Sequence, residues 1–364
     1  MTDVRQWNVP GRVNLIGEHL DYNGGPVLPM AIDRSLTIKV RRRDDDTVNV
    51  WTDRPGATKV SFPVLVQPGD VDGWAAYAAG TVWSLLEAGH SFGGVDVVVE
   101  SDLPSGAGLS SSAALTCGIA AAIDELFELG IDRTELALIA QRAESGYVGA
   151  PVGIMDQLAV LYGEVDHAIL IDTAAAPPTT RPVPLGWDDA GLVLLVIATG
   201  AHHSLADGEY AARREECDRA AAELGLEHLS QAGLDATVTL TDEVLKARTR
   251  HVLTETARVR AAVSALNRSA WPQLGAIFTA SHESLRDDFE VSCPELDIAV
   301  EAAIEAGALG ARMTGGGFGG SAIALVPADL ATAVRERVEA RYAAHSWAAP
   351  ETFVVHAAGG AHLV

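Results

Sequence analysis

Within ten residues near its start the chain sets one guanidinium, two carboxylates and an imidazole among glycines: Arg12, Glu18, His19 and Asp21. Glu18, His19 and Asp21 fall between Gly17 and Gly24, a density of acceptors that suits a polyhydroxylated ligand. Carboxylates accept from pairs of hydroxyls, and imidazole either donates or accepts. The same residues would also make an acidic surface turn ahead of Gly24-Gly25. A second stretch, Asp102-Leu-Pro-Ser-Gly-Ala-Gly-Leu-Ser-Ser-Ser-Ala-Ala-Leu115, is built for an anion. Gly106 and Gly108 allow consecutive N–H groups to turn inward. A helix beginning near Ser110 would aim its free N–H groups and positive dipole end at the same place. Ser110, Ser111 and Ser112 add hydroxyls able to bond phosphate oxygens or a magnesium ion. A glycine turn followed by a serine N-cap is the other reading of these residues. No Lys follows the glycines, so this is not the common nucleotide loop.

Asp156 lies inside an otherwise apolar run, residues 152–161. Unpaired burial of a carboxylate is costly, so it is either paired or working, and Arg12 is the partner we expect. Trp74 and Tyr77 lie three apart on one helical face, where they either stack on a purine or join the core. Near the other end, Ala311-Arg-Met-Thr-Gly-Gly-Gly-Phe-Gly-Gly-Ser-Ala-Ile-Ala-Leu-Val326 reads as a strand, a five-glycine turn and another strand. Such a turn permits close backbone approach to a ligand or a second loop.

Periodicity supplies the elements that must hold these groups. Residues 94–100 carry four valines and read as a buried strand; residues 113–126 read as a helix. Short buried strands flank the loop within residues 6–30. A hairpin is expected over residues 36–52 across the turn at Asp44, Asp45 and Asp46, with Lys39, Arg41, Arg42 and Arg43 at its solvated end. Helices are expected over 73–87, over 134–144 carrying Glu135 and Glu144, and over 207–224 with Ser204 or Asp207 as cap and Tyr210 in the first turn. Further helices follow over 248–268, 271–285 and 294–305. Adjacent His202 and His203 do not face one metal easily. The Ala/Pro-rich segment 174–180 marks a domain boundary, giving domains 1–176 and 181–364.

The 364 residues favour two domains, and 48% hydrophobic residues suffice for their cores. A net charge of −23 argues against nucleic-acid and anionic-membrane partners. Three widely spaced cysteines suggest neither a disulfide framework nor a zinc site. Without a signal-peptide core or an apolar run of membrane length, the chain reads as soluble and cytoplasmic, a monomer with a dimer as the alternative.

Three separated stretches resemble, in order, the three motifs of the GHMP small-molecule kinases: residues 10–23, the loop 103–115, and Met313-Thr-Gly-Gly-Gly-Phe-Gly-Gly320. The first of them, with Gly153-Ile-Met-Asp-Gln157, Ser204-Leu-Ala-Asp-Gly-Glu-Tyr210 and residues 281–297, resembles the galactose-phosphorylating branch of that family. The resemblance runs over nearly the whole chain. It implies an α+β fold of two domains, with mixed sheets packed with helices and the active site in the cleft between them. It implies ATP as co-substrate, with Gly106, Ala107, Gly108, Leu109, Ser110, Ser111 and Ser112 around its phosphates and Trp74 and Tyr77 on the adenine side. Ser112 and Glu144 would hold Mg²⁺. Glu18, His19, Asp21, Gly153 and Tyr210 would hold the sugar, with Asp156 the catalytic carboxylate and Arg12 the cation beside it. The implied reaction is phosphorylation of the anomeric hydroxyl of α-D-galactose. Its alternatives are a sibling kinase for N-acetylgalactosamine, arabinose or a uronic acid, or a noncatalytic galactose and ATP sensor. Leu20 stands where the family commonly has Thr, and Ser321 where Cys is frequent.

Overall fold

A computed structural model describes residues 4–54, 56–104, 106–202, 206–233 and 235–364. His203 and Ser204 lie outside them. The N-terminal half runs β1 (Arg5–Asn14), β2 (Pro26–Val27), β3 (Pro29–Arg42), β4 (Thr47–Thr52), β5 (Val60–Pro63), α1 (Ala75–Glu87), β6 (Val95–Ser101), α2 (Ser111–Phe127), α3 (Arg133–Arg142), α4 (Met155–Tyr162), β7 (His167–Asp172) and β8 (Thr179–Pro184). Beyond it come β9 (Leu192–His202), α5 (Ala206–Glu223), α6 (Ala236–Thr239), α7 (Glu243–Asn267), α8 (Trp271–Asp287), α9 (Pro294–Glu305), β10 (Gly310–Thr314), β11 (Gly319–Pro327), α10 (Ala331–Ala344), β12 (Glu351–Val355) and β13 (His362–Leu363).

Three sheets organise these elements. The first has the order β13-β1-β3-β6-β4-β5, the second β10-β11-β9-β12, and the third β2-β7-β8. The hairpin expected over residues 36–52 does not form, because β6 lies between β3 and β4, antiparallel to one and parallel to the other. The reason is burial. Val95, Val97 and Val99 of β6 are all buried and need a strand on each side. Asp96 ties the two neighbours, standing opposite Arg41 on β3 and opposite Asn49 on β4, whose side-chain amide donates to it at 2.7 Å. Lys39 pairs with Glu100 at 2.6 Å and Arg43 with Asp96 at 3.0 Å, so the basic cluster is spent on strand pairing.

α2 is buried almost all round and packs on β1 and β3. At Gly118 any side chain would run into Val9 and Ile38, so glycine lets this helix lie close on the sheet. The Ala/Pro-rich segment at 174–180 begins in the turn between β7 and β8, which pair antiparallel. α8 and α9 back β10 and β11, the strands that present the third glycine stretch. Among the described residues no helix is long and apolar enough to cross a membrane.

Candidate active site

A register shift in β1 between Pro10 and Arg12 re-aims the Arg12 side chain. Its Nε and Nη2 each donate to one oxygen of Asp156, both at 2.7 Å, and Nη1 donates to the carbonyl of Gly108 at 2.6 Å. The expected pairing of Arg12 with Asp156 is therefore formed in bidentate geometry, the strongest arrangement for such a pair. Asp156 stands in the first turn of α4 and also accepts from the hydroxyl of Ser110. Both of its oxygens are thus fixed, and the side chain is still partly open to a cavity of about 190 Å³. Arg12, Glu18, His19, Asp21, Gly153, Asp156 and Tyr210 all line that cavity, so residues from the first loop, the α4 start and α5 converge on one space.

The local backbone explains how the loop reaches it. Gly17, His19 and Gly24 take left-handed φ values of 107°, 64° and 68°, wrapping the chain between β1 and β2. The Asn23 amide donates to the His19 carbonyl at 2.7 Å and holds the turn. His19 Nδ1 lies 2.9 Å from the Tyr22 hydroxyl, while Nε2 is buried without a hydrogen-bond partner. Burial lowers the His19 pKa to about 3, so the ring is neutral. Burial also raises Asp21 to about 6, with Asp156 adding to the shift. A Cβ on Gly153 would run into the Asp21 carboxylate, which is why that position is glycine. Leu20 is fully buried and is not part of the lining, so its departure from the family pattern does not touch the cavity.

Glu18 is 1% exposed and already heavily engaged. One oxygen accepts from Gly315 N at 2.7 Å; the other accepts from the Asn14 amide and pairs with Arg312 at 2.8 Å. Arg312 itself is 0% exposed and donates to the carbonyls of Asn14 and Leu15 at 3.1 and 3.0 Å. Sequence reasoning passed over Arg312, although a cation inside an apolar strand is the signal that marked Asp156. It also passed over Glu255 on α7, which accepts from Gly17 N at 2.9 Å and from Ser281 at 2.7 Å.

The loop over residues 106–112 lies beside this cavity. Gly106, Gly108 and Ser110 have φ values of 72°, 69° and 58°. Ser110 sits at the N-cap of α2 but makes no capping bond, since its hydroxyl is turned to Asp156. The serine-cap reading of the loop is therefore not what the side chain does: the first N–H groups of a 17-residue helix are left without that cap, as an anion-binding end would need. Ala107 and Leu109 bury their side chains, so only their backbone can serve a nucleotide. The third glycine stretch packs onto the loop, Ser321 donating to the Ala107 carbonyl at 2.6 Å. A second cavity, about 410 Å³, is lined by Trp74 and Tyr77, by the apolar Leu36, Val99 and Leu115, and by Ser111 and Ser112. Arg54 also lines it, another residue the sequence did not single out.

Glu144 lies in a π-helical turn, Ala143–Val148, that follows α3. Such turns recur at functional sites because they displace one side chain from the helical register. The carboxylate is 2% exposed, accepts from Gln157 at 2.7 Å and from Thr116 at 3.3 Å, and has Ser112 nearby, which favours its charged form. Burial raises it to about 7, and among the described residues no cation pairs with it. A buried acid without a counter-charge, next to a serine where the glycine loop enters α2, fits a divalent cation whose other ligands would be phosphate and water oxygens.

Comparison with known proteins agrees with this geometry. Residues 3–42 match the galactokinase galactose-binding signature, residues 76–164 the GHMP kinases N terminal domain, and residues 262–344 the GHMP kinases C terminal domain. A galactokinase of Streptomyces coelicolor is 46% identical over 98% of this chain and 94% of its own length. A galactokinase of Mycobacterium tuberculosis is 45% identical, with 98% of each chain covered. The chain belongs to the galactokinase family of the GHMP kinases. Lactococcus lactis galactokinase, crystallised with galactose, superposes with a TM-score of 0.91 at 33% identity, covering 99% of this chain and 95% of that one. Mevalonate kinase from L. major shares the fold, at a TM-score of 0.66 and 20% identity over 99% of both chains. Among the described residues of this galactokinase-family chain no group of three or more His, Cys, Asp or Glu side chains could hold a metal by itself.

Proposed function

We propose that this galactokinase-family chain transfers the γ-phosphoryl group of ATP to the anomeric hydroxyl of α-D-galactose, with Asp156 and Arg12 as the catalytic pair. The observation that carries the reading is the convergence of Arg12, Asp21, Gly153, Asp156 and Tyr210 on one small cavity beside a helix N-terminus without a side-chain cap. The expected halves, 1–176 and 181–364, would meet at this cleft. Glu18, His19, Asp21, Gly153 and Tyr210 hold the sugar; Trp74 and Tyr77 flank adenine; residues 106–112 cradle the phosphates. Ser112 and Glu144 would hold Mg²⁺, which supplies charge neutralisation at the phosphate oxygens. The protein works in the cytoplasm.

A carboxylate is a weak base toward a sugar hydroxyl, so deprotonation before attack is unfavourable. Phosphoryl transfer through a loose transition state needs little activation of the nucleophile. Asp156 therefore orients the hydroxyl and takes its proton late, as the sugar O–P bond forms and the bond to the bridging oxygen of ADP breaks. Arg12 keeps the carboxylate in place and stabilises charge on the transferred group. The neutral His19 ring offers Nε2 to a sugar hydroxyl without adding charge.

The deciding experiment measures ADP release with magnesium and ATP against galactose, N-acetylgalactosamine, arabinose and glucose. Turnover on galactose is expected. Turnover on another sugar alone would transfer the reading to a sibling kinase, and binding without turnover would leave a sensor. Gly153→Ala pushes a methyl into Asp21 and is expected to lower kcat/KM for galactose on the order of 10²-fold, as a small displacement of a positioning group does. The KM for ATP should stay unchanged in the same assay.

Stability should report Glu144 directly. Its carboxyl titrates near 7 in the folded chain against 4.5 as the ordinary value. The native state therefore holds more protons than the unfolded one between these limits, and stability is lost as pH rises through that window. Glu144→Gln is spared this loss. Relative to the parent, its unfolding free energy without metal should rise by on the order of 3 kcal/mol between pH 4.5 and 7.5. Urea unfolding at the two pH values is the check, and parallel behaviour of the two proteins would refute the assignment.

A further inference from the structure

A third cavity, about 540 Å³, lies behind the first loop, walled by β7, β8, α7 and the segment at Ser230-Gln231. We propose that it binds a small organic phosphate, of the chemical class of a phosphorylated sugar, and that its occupation alters the affinity of the sugar loop. Arg181 on β8 and Arg260 on α7 both line it, and among the described residues neither guanidinium has an ion pair or hydrogen bond. Arg12, Arg41, Arg43, Arg248 and Arg312, by contrast, are each paired with a carboxylate. Two unpaired guanidinium forks in one cavity, in a chain of net charge −23, suit a phosphate group, which planar guanidinium binds through two parallel bonds. The acid on the lining, Asp172, is turned to the N–H of Ala174.

The rest of the lining calls for a carbon skeleton with hydroxyls. Pro26, Leu170 and Val263 supply apolar wall. Gln231 accepts from His228 N through its side-chain carbonyl, and among the described residues its amide N–H groups have no acceptor. Thr256 is 7% exposed and its hydroxyl has no partner. The volume also exceeds what a bare anion fills.

The walls of this cavity hold the back of the loop whose front lines the sugar cavity. Ser230 donates from its hydroxyl to the Gly24 carbonyl at 2.8 Å and from its N–H to the Asn23 carbonyl at 3.2 Å. Thr173 donates to the Gly25 carbonyl at 2.8 Å. Asn23 in turn holds His19, and Glu255, next to Thr256, holds Gly17. An occupant that shifts these walls changes the loop, which is coupling in the thermodynamic sense. The inference rests on the galactokinase reading only for this effect on sugar affinity.

The test is isothermal titration of the full chain with galactose 1-phosphate, glucose 6-phosphate and inorganic phosphate, in saturating galactose and a nonhydrolysable ATP analogue that occupy the active site. One further site per chain is expected for the sugar phosphates, with inorganic phosphate weaker. Arg181→Gln with Arg260→Gln should weaken it on the order of 10-fold or more, the scale of lost charge-assisted bonds. Both side chains are exposed and unpaired, so the fold should persist, and the two single variants are measured alongside. In a companion titration, galactose affinity should shift with glucose 6-phosphate present in the parent and not in the double variant. Absence of a further site, equal binding by the double variant, an unshifted galactose affinity, or inorganic phosphate binding as tightly as the sugar phosphates would each overturn the proposal. Because the readout is heat of binding, a parent that turns over galactose yet shows no further site sinks this inference alone. A parent that shows the site yet turns over no galactose sinks the kinase reading alone.

Discussion

Asp156→Asn is expected to lower turnover on galactose by on the order of 10³-fold or more while leaving the protein folded and able to bind sugar. The amide keeps the shape of the carboxylate and can still accept from Arg12 through its oxygen. It has lost the negative charge that receives the hydroxyl proton and that balances the Arg12 guanidinium, which donates to both carboxylate oxygens in the parent. The amide nitrogen presents N–H where Arg12 or Ser110 also donates, so donors face each other and the side chain turns away from the sugar. Steady-state ADP release gives kcat, and titration with galactose gives the binding constant. A variant with near-parental kcat would remove Asp156 from the chemistry. One that loses galactose binding in proportion to kcat would make it a binding group instead.

The second large effect is expected at a residue that touches no substrate. Arg312→Met should destabilise the fold by about 3–5 kcal/mol, the scale for removing one partner of a buried ion pair. The physical cause is Glu18. Burial pushes its carboxyl up, and the Arg312 charge is the main influence holding it down. Without Arg312 the carboxylate is stranded between Asn14 and Gly315, the Leu15 carbonyl loses its donor, and the Asn14 carbonyl keeps only the Thr314 hydroxyl. Arg312 joins the first loop to the strand leading into the third glycine stretch, so galactose affinity should fall as well. The double variant Arg312→Met with Glu18→Gln removes both charges and should recover much of the stability but not the sugar affinity. Urea unfolding and galactose titration separate the two effects; equal stability of Arg312→Met and the parent would show that the pair does not hold the loop.

Local chemistry in the sequence determined a good deal of this protein. Gly106, Gly108 and the serines announced a tight, anion-ready turn, because φ freedom and hydroxyl placement are properties of neighbouring residues. Asp156 announced itself as an acid in an apolar run, and Arg12 as its partner. The spacing of Glu18, His19 and Asp21 concentrated acceptors on one loop, and the helices 271–285 and 294–305 were legible from their period to within a few residues of the observed ends. Other features were decided by pairings between distant segments. β6 enters between β3 and β4 because a strand of buried valines needs two neighbours, and periodicity describes a strand's faces but not its edges. The Ser110 hydroxyl turns to Asp156, 46 residues away, rather than to its own helix, which is what keeps the helix end open. Glu18 meets Arg312, and also the N–H of Gly315, 297 residues further along the chain. The cavity with Arg181 and Arg260 likewise exists only where β8 passes α7. A sequence records which groups are present and how neighbours constrain each other; which distant groups neutralise one another depends on burial, and burial is a property of the assembled fold.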